Sequence, residues 1–128
     1  MKIEEINKKL EKLHYWDARV LHLSCEYFGD EVILIHENDE EHYAVYNFLE
    51  CYKSDISHII DYSKDKPYKD LTIPQIPFSM QDITIKKEND IHIFNINAFP
   101  LYLEIWCKEV KIESIKKEDC NIVNFKGN

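Results

Sequence analysis

Apolar residues at Ile3, Ile6, Leu10 and Leu13 recur three, four and three positions apart, the spacing that forms one stripe along a helix. It predicts a helix over residues 2–13. Glu4 and Glu5 stand in its first turn and Lys8, Lys9 and Lys12 follow, the order that suits the helix dipole and makes Glu4–Lys8 and Glu5–Lys9 favourable i,i+4 pairs. From Ala18 the period changes to two. Leu21, Leu23, Cys25 and Tyr27 alternate with His22, Ser24 and Glu26, which is the signature of a strand. Gly29-Asp30 supplies a turn and Val32 to His36 resumes β-rich sequence, so a hairpin is expected, 18–28 with 31–37.

Tyr43 to Lys53 carries apolar residues on both faces: Ala44, Tyr46, Phe48 and Tyr52 on one, Val45, Leu49 and Cys51 on the other. That pattern suits a strand in the middle of a sheet, covered on both sides. Ser54-Asp55 marks a bend or a bulge before residues 56–62, whose spacing fits a strand or a helix. Pro67, Pro74 and Pro77 break up residues 64–77, while Leu71, Ile73, Ile76 and Phe78 make that stretch a packed connection. Further alternations at 83–87, 91–98, 101–108 and 110–114 predict strands, and the polar tail from Lys116 is expected to fray. The short links favour antiparallel pairing. The fold class is α+β: an N-terminal helix followed by a curled, mainly antiparallel sheet of six to eight strands, in a single domain over residues 1–128.

Charge narrows the partners. Asp and Glu number 24 against 16 Lys and Arg, the formal net charge is −8 and the pI is near 5.2. Arg19 is the sole arginine. A nucleic-acid partner is therefore not expected, and a basic protein is easier to attract. No apolar run approaches the ~20 residues that cross a bilayer, and the first residues alternate charge with apolar side chains unlike a signal peptide, so no membrane association and a cytoplasmic location are expected. Cys25, Cys51, Cys107 and Cys120 form no C-x-x-C pair and read as reduced thiols used as small hydrophobes.

Six histidines, His14, His22, His36, His42, His58 and His92, match no metal-ligand spacing. His22 and His36 are expected as near neighbours across the first hairpin, with residue numbers summing to 58 or 59, but two imidazoles make a poor metal site. With two glycines and no nucleophile or phosphate-loop motif, no enzyme activity and no cofactor are expected. The alternative is a small enzyme, or a metal- or ligand-binding domain, built on His14, His22, His36 and His58.

Two segments are candidates for binding. In Leu13 to Arg19, Trp16 and Asp17 form either an aromatic hot spot flanked by charge or the joint between helix and first strand. In the joint, Trp16 covers the core edge and Asp17 accepts backbone hydrogen bonds or pairs with Arg19. The turn Glu37, Asp39, Glu40, Glu41 is the best docking candidate, because clustered carboxylates steer a basic partner; Glu88 and Asp90 form a weaker acidic turn.

The run LHYWDARVLHLSCEYFGDEVILIHE, with the residues just before it (roughly 10–37), resembles the opening of small bacterial proteins of the immunity type from polymorphic toxin systems. Those proteins begin with a short helix, an apolar strand bearing a D-A pair, and a hairpin. The resemblance implies a cytosolic antitoxin that binds one cognate toxin domain and blocks it, and it carries over no catalytic residue; independently of it, the chain is expected as a monomer or as a homodimer paired through an exposed strand edge. An acidic member can mimic phosphates in the basic cleft of a nuclease.

Overall fold

The computed structural model describes residues 2–58 and 67–123. Helix α1 spans Ile3–Leu13, and strands β1 to β6 span Val20–Glu26, Glu31–Glu37, His42–His58, Asp82–Glu88, Ile91–Ala98 and Leu101–Lys116. The helix buries Ile6, Leu10 and Leu13, the stripe its spacing predicts, and ends where His14 turns left-handed (φ 45°). The strands form one sheet in the order β1-β2-β3-β6-β5-β4, with every neighbouring pair antiparallel.

Six strands result because two pairs of expected strands merge. Residues 54–58 continue β3 as strand, so Ser54-Asp55 is neither bend nor bulge; residues 59–62 lie outside those described. Glu109 sits opposite Leu49 in an unbroken β6. The irregularity falls instead between Cys51, opposite Cys107, and Lys53, opposite Trp106. Tyr52 is thus the extra residue of a bulge, and Glu50 just before it has φ 52°. The first hairpin is also shorter than expected. Its last paired residues are Glu26 and Glu31, and Tyr27 and Phe28 belong to the turn.

β3 and β6 pair from His42–Lys116 to His58–Leu101. β2 pairs only with the first part of β3, and β5 only with the first part of β6. The outer strands are therefore offset along a central ribbon, and the sheet coils. The coil brings β1 back to the segment preceding β4. Asp17 N–H donates to Met80 O (2.7 Å), Met80 N–H to Ala18 O (2.8 Å) and Val20 N–H to Phe78 O (2.9 Å). One isolated bridge, Arg19–Ser79, joins the two sides, and the sheet stays open.

The coil encloses the main core. Ile6, Leu10 and Leu13 of α1 meet Val32, Leu34, Tyr46, Phe48, Phe94 and Ile105. Phe48 stands edge-on to Phe94 with ring centres 5.0 Å apart. A smaller cluster, Leu21, Ile35, Tyr43 and Val45, lies on the opposite face beneath Ile76, with Ile73, Cys120 and Val123 packed against it. The connection before β4 is packed, as its apolar residues imply. The tail does not fray at Lys116: Lys117 N–H donates to Glu41 O (2.9 Å), and residues to Val123 cover the second cluster. Phe125 lies outside the described residues. Leu21 and Leu23 face opposite sides, contrary to the simple alternation, because the β1 register shifts between Val20 and His22.

His36 is fully buried. Its Nδ1 lies 2.6 Å from Glu37 O and its Nε2 2.9 Å from the Tyr46 hydroxyl. A carbonyl only accepts, so Nδ1 carries the proton and the Tyr46 O–H donates to Nε2. Burial lowers the pKa of this neutral ring from 6.5 to about 4. Between those values the unfolded chain binds a proton that the folded chain refuses, so stability rises with pH across the window and is complete above it. Unfolding by urea is expected to show a loss of up to about 3 kcal/mol on going from pH 7 to pH 4 from this residue. In His36→Gln, which hydrogen bonds without titrating, that part of the pH slope should vanish.

Candidate functional site

The acidic turn lies between β2 and β3, and its carboxylates are unequally occupied. Asp39 Oδ1 accepts from the backbone N–H of Glu41 and of His42 and from His42 Nδ1, each at 2.8 Å. The bond from the His42 ring, then that from the Glu41 amide, hold the Asp39 carboxyl below its ordinary pKa. Glu37 lies 3.7 Å from Arg19 Nη1, and its N–H donates to Arg19 O (2.9 Å). Glu40 and Glu41 are exposed and form no ion pair among the described residues. They line a shallow groove with Lys116, Lys117 and Glu118, so two lysines offset part of the local field.

Trp16 and Asp17 stand at the same end of the sheet. Trp16 is 53% exposed and stacks on Tyr15 with ring centres 4.6 Å apart. Tyr15 is buried, and its hydroxyl accepts from Ile83 N–H (3.2 Å). Asp17 adopts φ 64° and gives its N–H to Met80 O. Arg19 turns to Glu37 rather than to Asp17, which links the helix–strand joint to the acidic turn.

The histidines do not converge. His22 pairs with Ile35 and His36 with Val20, sums of 57 and 56 instead of 58 or 59, so the two rings lie on opposite faces. The cause is the four-residue turn 27–30, which pairs Glu26 with Glu31 and sets the sum at 57 from there to His22. His22 Nε2 bonds to Ser24 Oγ (2.9 Å). His14 and His58 are exposed. Among the described residues no group of three His, Cys, Asp or Glu is placed to hold a metal ion. An apolar pocket of about 190 Å³, lined by Leu21, Leu23, Leu71, Ile76, Phe78 and neighbours, contains only His22 of the six histidines. The cysteines are free thiols; burial pushes Cys51 up to about 11 and Cys107 up to about 12, far from a nucleophilic thiolate at neutral pH.

A third surface, missed by the pattern of alternation, lies at the β1–β2 turn. Tyr27, Phe28 and Gly29 have φ of 51°, 62° and 92°. Gly29 takes that backbone readily, but each aromatic residue is strained there by about 1–2 kcal/mol. The turn is pinned to the β3 bulge: Cys51 N–H donates to Asp30 O (2.8 Å) and Ser54 Oγ to Gly29 O (3.3 Å). The result is a knuckle with Phe28 fully exposed, Tyr27 72% exposed and the bulged Tyr52 59% exposed, bordering one groove. At its base Glu26 faces Glu31 across the strands, and neither has an ion-pair partner among the described residues. The available signal was composition: an aromatic pair set directly against Gly-Asp between glutamates.

A family model described as Immunity protein PIM7 matches residues 2–114, from the start of α1 nearly to the end of β6. No curated protein matches the chain.

Phe28 touches no core, so its replacement tests the strain alone. Phe28→Gly is expected to leave the fold intact and to raise the free energy of urea unfolding by up to about 1 kcal/mol, the left-handed penalty less the added chain entropy of glycine.

Proposed function

The chain belongs to the Immunity protein PIM7 family, and from that membership we propose that it is a stoichiometric antitoxin, binding one cognate toxin domain and blocking it while transforming nothing itself. Family membership is the observation that carries this reading. The toxin is basic on the face that is bound, a finer reading supported by the net charge of −8 and by the unspent carboxylates of Glu40 and Glu41. A toxin with a phosphate-binding cleft, such as a nuclease, suits this chemistry, because carboxylates on a turn can occupy the places of phosphates. The antitoxin then competes with the nucleic-acid substrate. It works in the cytoplasm, ahead of the toxin's target.

Glu37 and Asp39 hold the turn in shape, Glu40 and Glu41 meet the partner, and Trp16 with Asp17 extends the same end of the molecule. Charges at the rim of an interface act mainly on the association rate and lose effect as salt rises.

Calorimetric titration with the toxin domain encoded beside this gene is expected to give a 1:1 complex. Replacing Glu40 and Glu41 by Lys should weaken it by about tenfold at low salt, chiefly through slower association, and flatten its salt dependence. A 1:1 complex with unchanged affinity in the double variant removes the acidic turn from the mechanism. Absence of any complex, or of toxin inhibition, removes the antitoxin reading.

A further inference from the structure

Three features of the β1–β2 end are unfavourable in the free chain and point to one use. Tyr27 and Phe28 are held in left-handed backbone, a conformation found mostly in glycine and asparagine. Strain of this kind persists where the surroundings impose it, and it gathers at functional sites. Here the surroundings are explicit, because the Cys51 amide and the Ser54 hydroxyl fix the turn from β3. The consequence is a phenyl ring wholly in water, beside two exposed tyrosines, Tyr27 and Tyr52. Near the rings stand Glu26 and Glu31, opposed across the strands, with the exposed Asp30 and Glu50; of the lysines there, Lys53 lines the same groove but is paired with Glu104, and Lys108 lies over the Tyr52 ring. Like charges directly opposite each other oppose pairing.

A partner that offers an apolar socket with a basic rim relieves two of them and exploits the third. It covers the phenyl ring, uses the strained turn as a rigid projection, and neutralises the opposed glutamates. We propose that this aromatic knuckle, with Phe28 as its tip, is the principal anchor by which the chain grips the toxin. The inference rests on the antitoxin reading and adds where the grip lies and what receives it: an apolar pocket bordered by lysine or arginine on the toxin. Interfaces concentrate their energy in a few buried aromatic anchors surrounded by polar rims. The knuckle and the acidic β2–β3 turn lie at opposite ends of the seven-residue β2, about 20 Å apart, so their contributions separate by mutation.

The test compares toxin binding by wild type, Phe28→Gly, Tyr27→Ser and the double variant Glu26→Lys/Glu31→Lys, with urea unfolding and sedimentation of each free protein. Phe28→Gly is expected to bind at least 100-fold more weakly while unfolding no more easily than wild type, which separates lost contact from lost fold. Tyr27→Ser should lose about tenfold, and the double variant should bind more weakly at low salt with a shallower salt dependence. If wild type binds toxin and Phe28→Gly binds equally well, the anchor is overturned and the antitoxin reading stands. If wild type binds no toxin, both fall. If free wild type sediments as a dimer that Phe28→Gly converts to monomer without change in toxin affinity, the knuckle serves a second copy of this chain and the proposal is overturned.

Discussion

The pairing of β3 with β6 is the constraint on which the rest of the molecule depends. These are the two longest strands, 17 and 16 residues, and every other strand attaches to one part of this ribbon. β2, carrying β1, takes the first part of β3; β5, carrying β4, takes the first part of β6. The offset lets the twist of the ribbon turn the two wings toward each other, and the helix stripe fills the hollow between them. A flat six-stranded sheet would leave either Ile6, Leu10 and Leu13 or half of the sheet's apolar face in water. The isolated Arg19–Ser79 bridge is where that coiling brings the wings together.

Elements governed by local period were legible in the sequence, and those governed by distant contacts were not. The α1 stripe, the alternations of β4 and β5, and the two-sided apolar pattern of Tyr43 to Leu49 each report a single environment, and each became the expected element; past Glu50 the faces expected for Cys51 and Tyr52 fail, because Cys51 packs on the main core with Phe48 and the bulged Tyr52 is exposed. Ser54-Asp55 read as a bend, yet those residues pair across the ribbon with Ile105 and Glu104, and long-range hydrogen bonding overrides weak turn propensity. Cys120 and Val123 follow no period because they cover a cluster as part of an irregular segment. The His22–His36 expectation failed because the turn sets the hairpin sum at 57 rather than 58, and a slip of one residue is enough to move a side chain to the other face.

The candidate site shows the same division. Glu37, Asp39, Glu40 and Glu41 were visible as a charge run, but their roles were not. The Asp39 carboxylate is consumed by two amides and an imidazole, and Glu37 by Arg19, because a polar turn must satisfy its own backbone before it can meet anything else. Sequence counts carboxylates, while only geometry separates those that hold the turn from those that face outward. Phe28 was hidden for the opposite reason. Alternation assigned it to the polar face of a strand, where one aromatic residue attracts no notice, and only its left-handed backbone and full exposure set it apart.

Both surfaces are carried by β2, whose apolar positions are buried on both faces of the sheet, Val32 and Leu34 on one and Ile35 on the other. A strand held on both sides is a stiff mount, so neither end needs to be ordered when a partner arrives. Ordering side chains and loops is among the larger costs of association, and a turn pinned by the Cys51 amide meets part of that cost at folding. The strain at Tyr27 and Phe28 has the same meaning. It lowers the stability of the free chain by a modest amount and in exchange presents a fixed phenyl ring rather than a mobile one. A separation of about 20 Å between the ends also fits within one interface of ordinary size, about 800 Å² on each partner. A toxin face that receives the phenyl ring in a socket and meets Glu40 and Glu41 with basic side chains therefore needs no movement in the antitoxin. On the proposed reading, charge at one end steers association and apolar burial at the other slows dissociation.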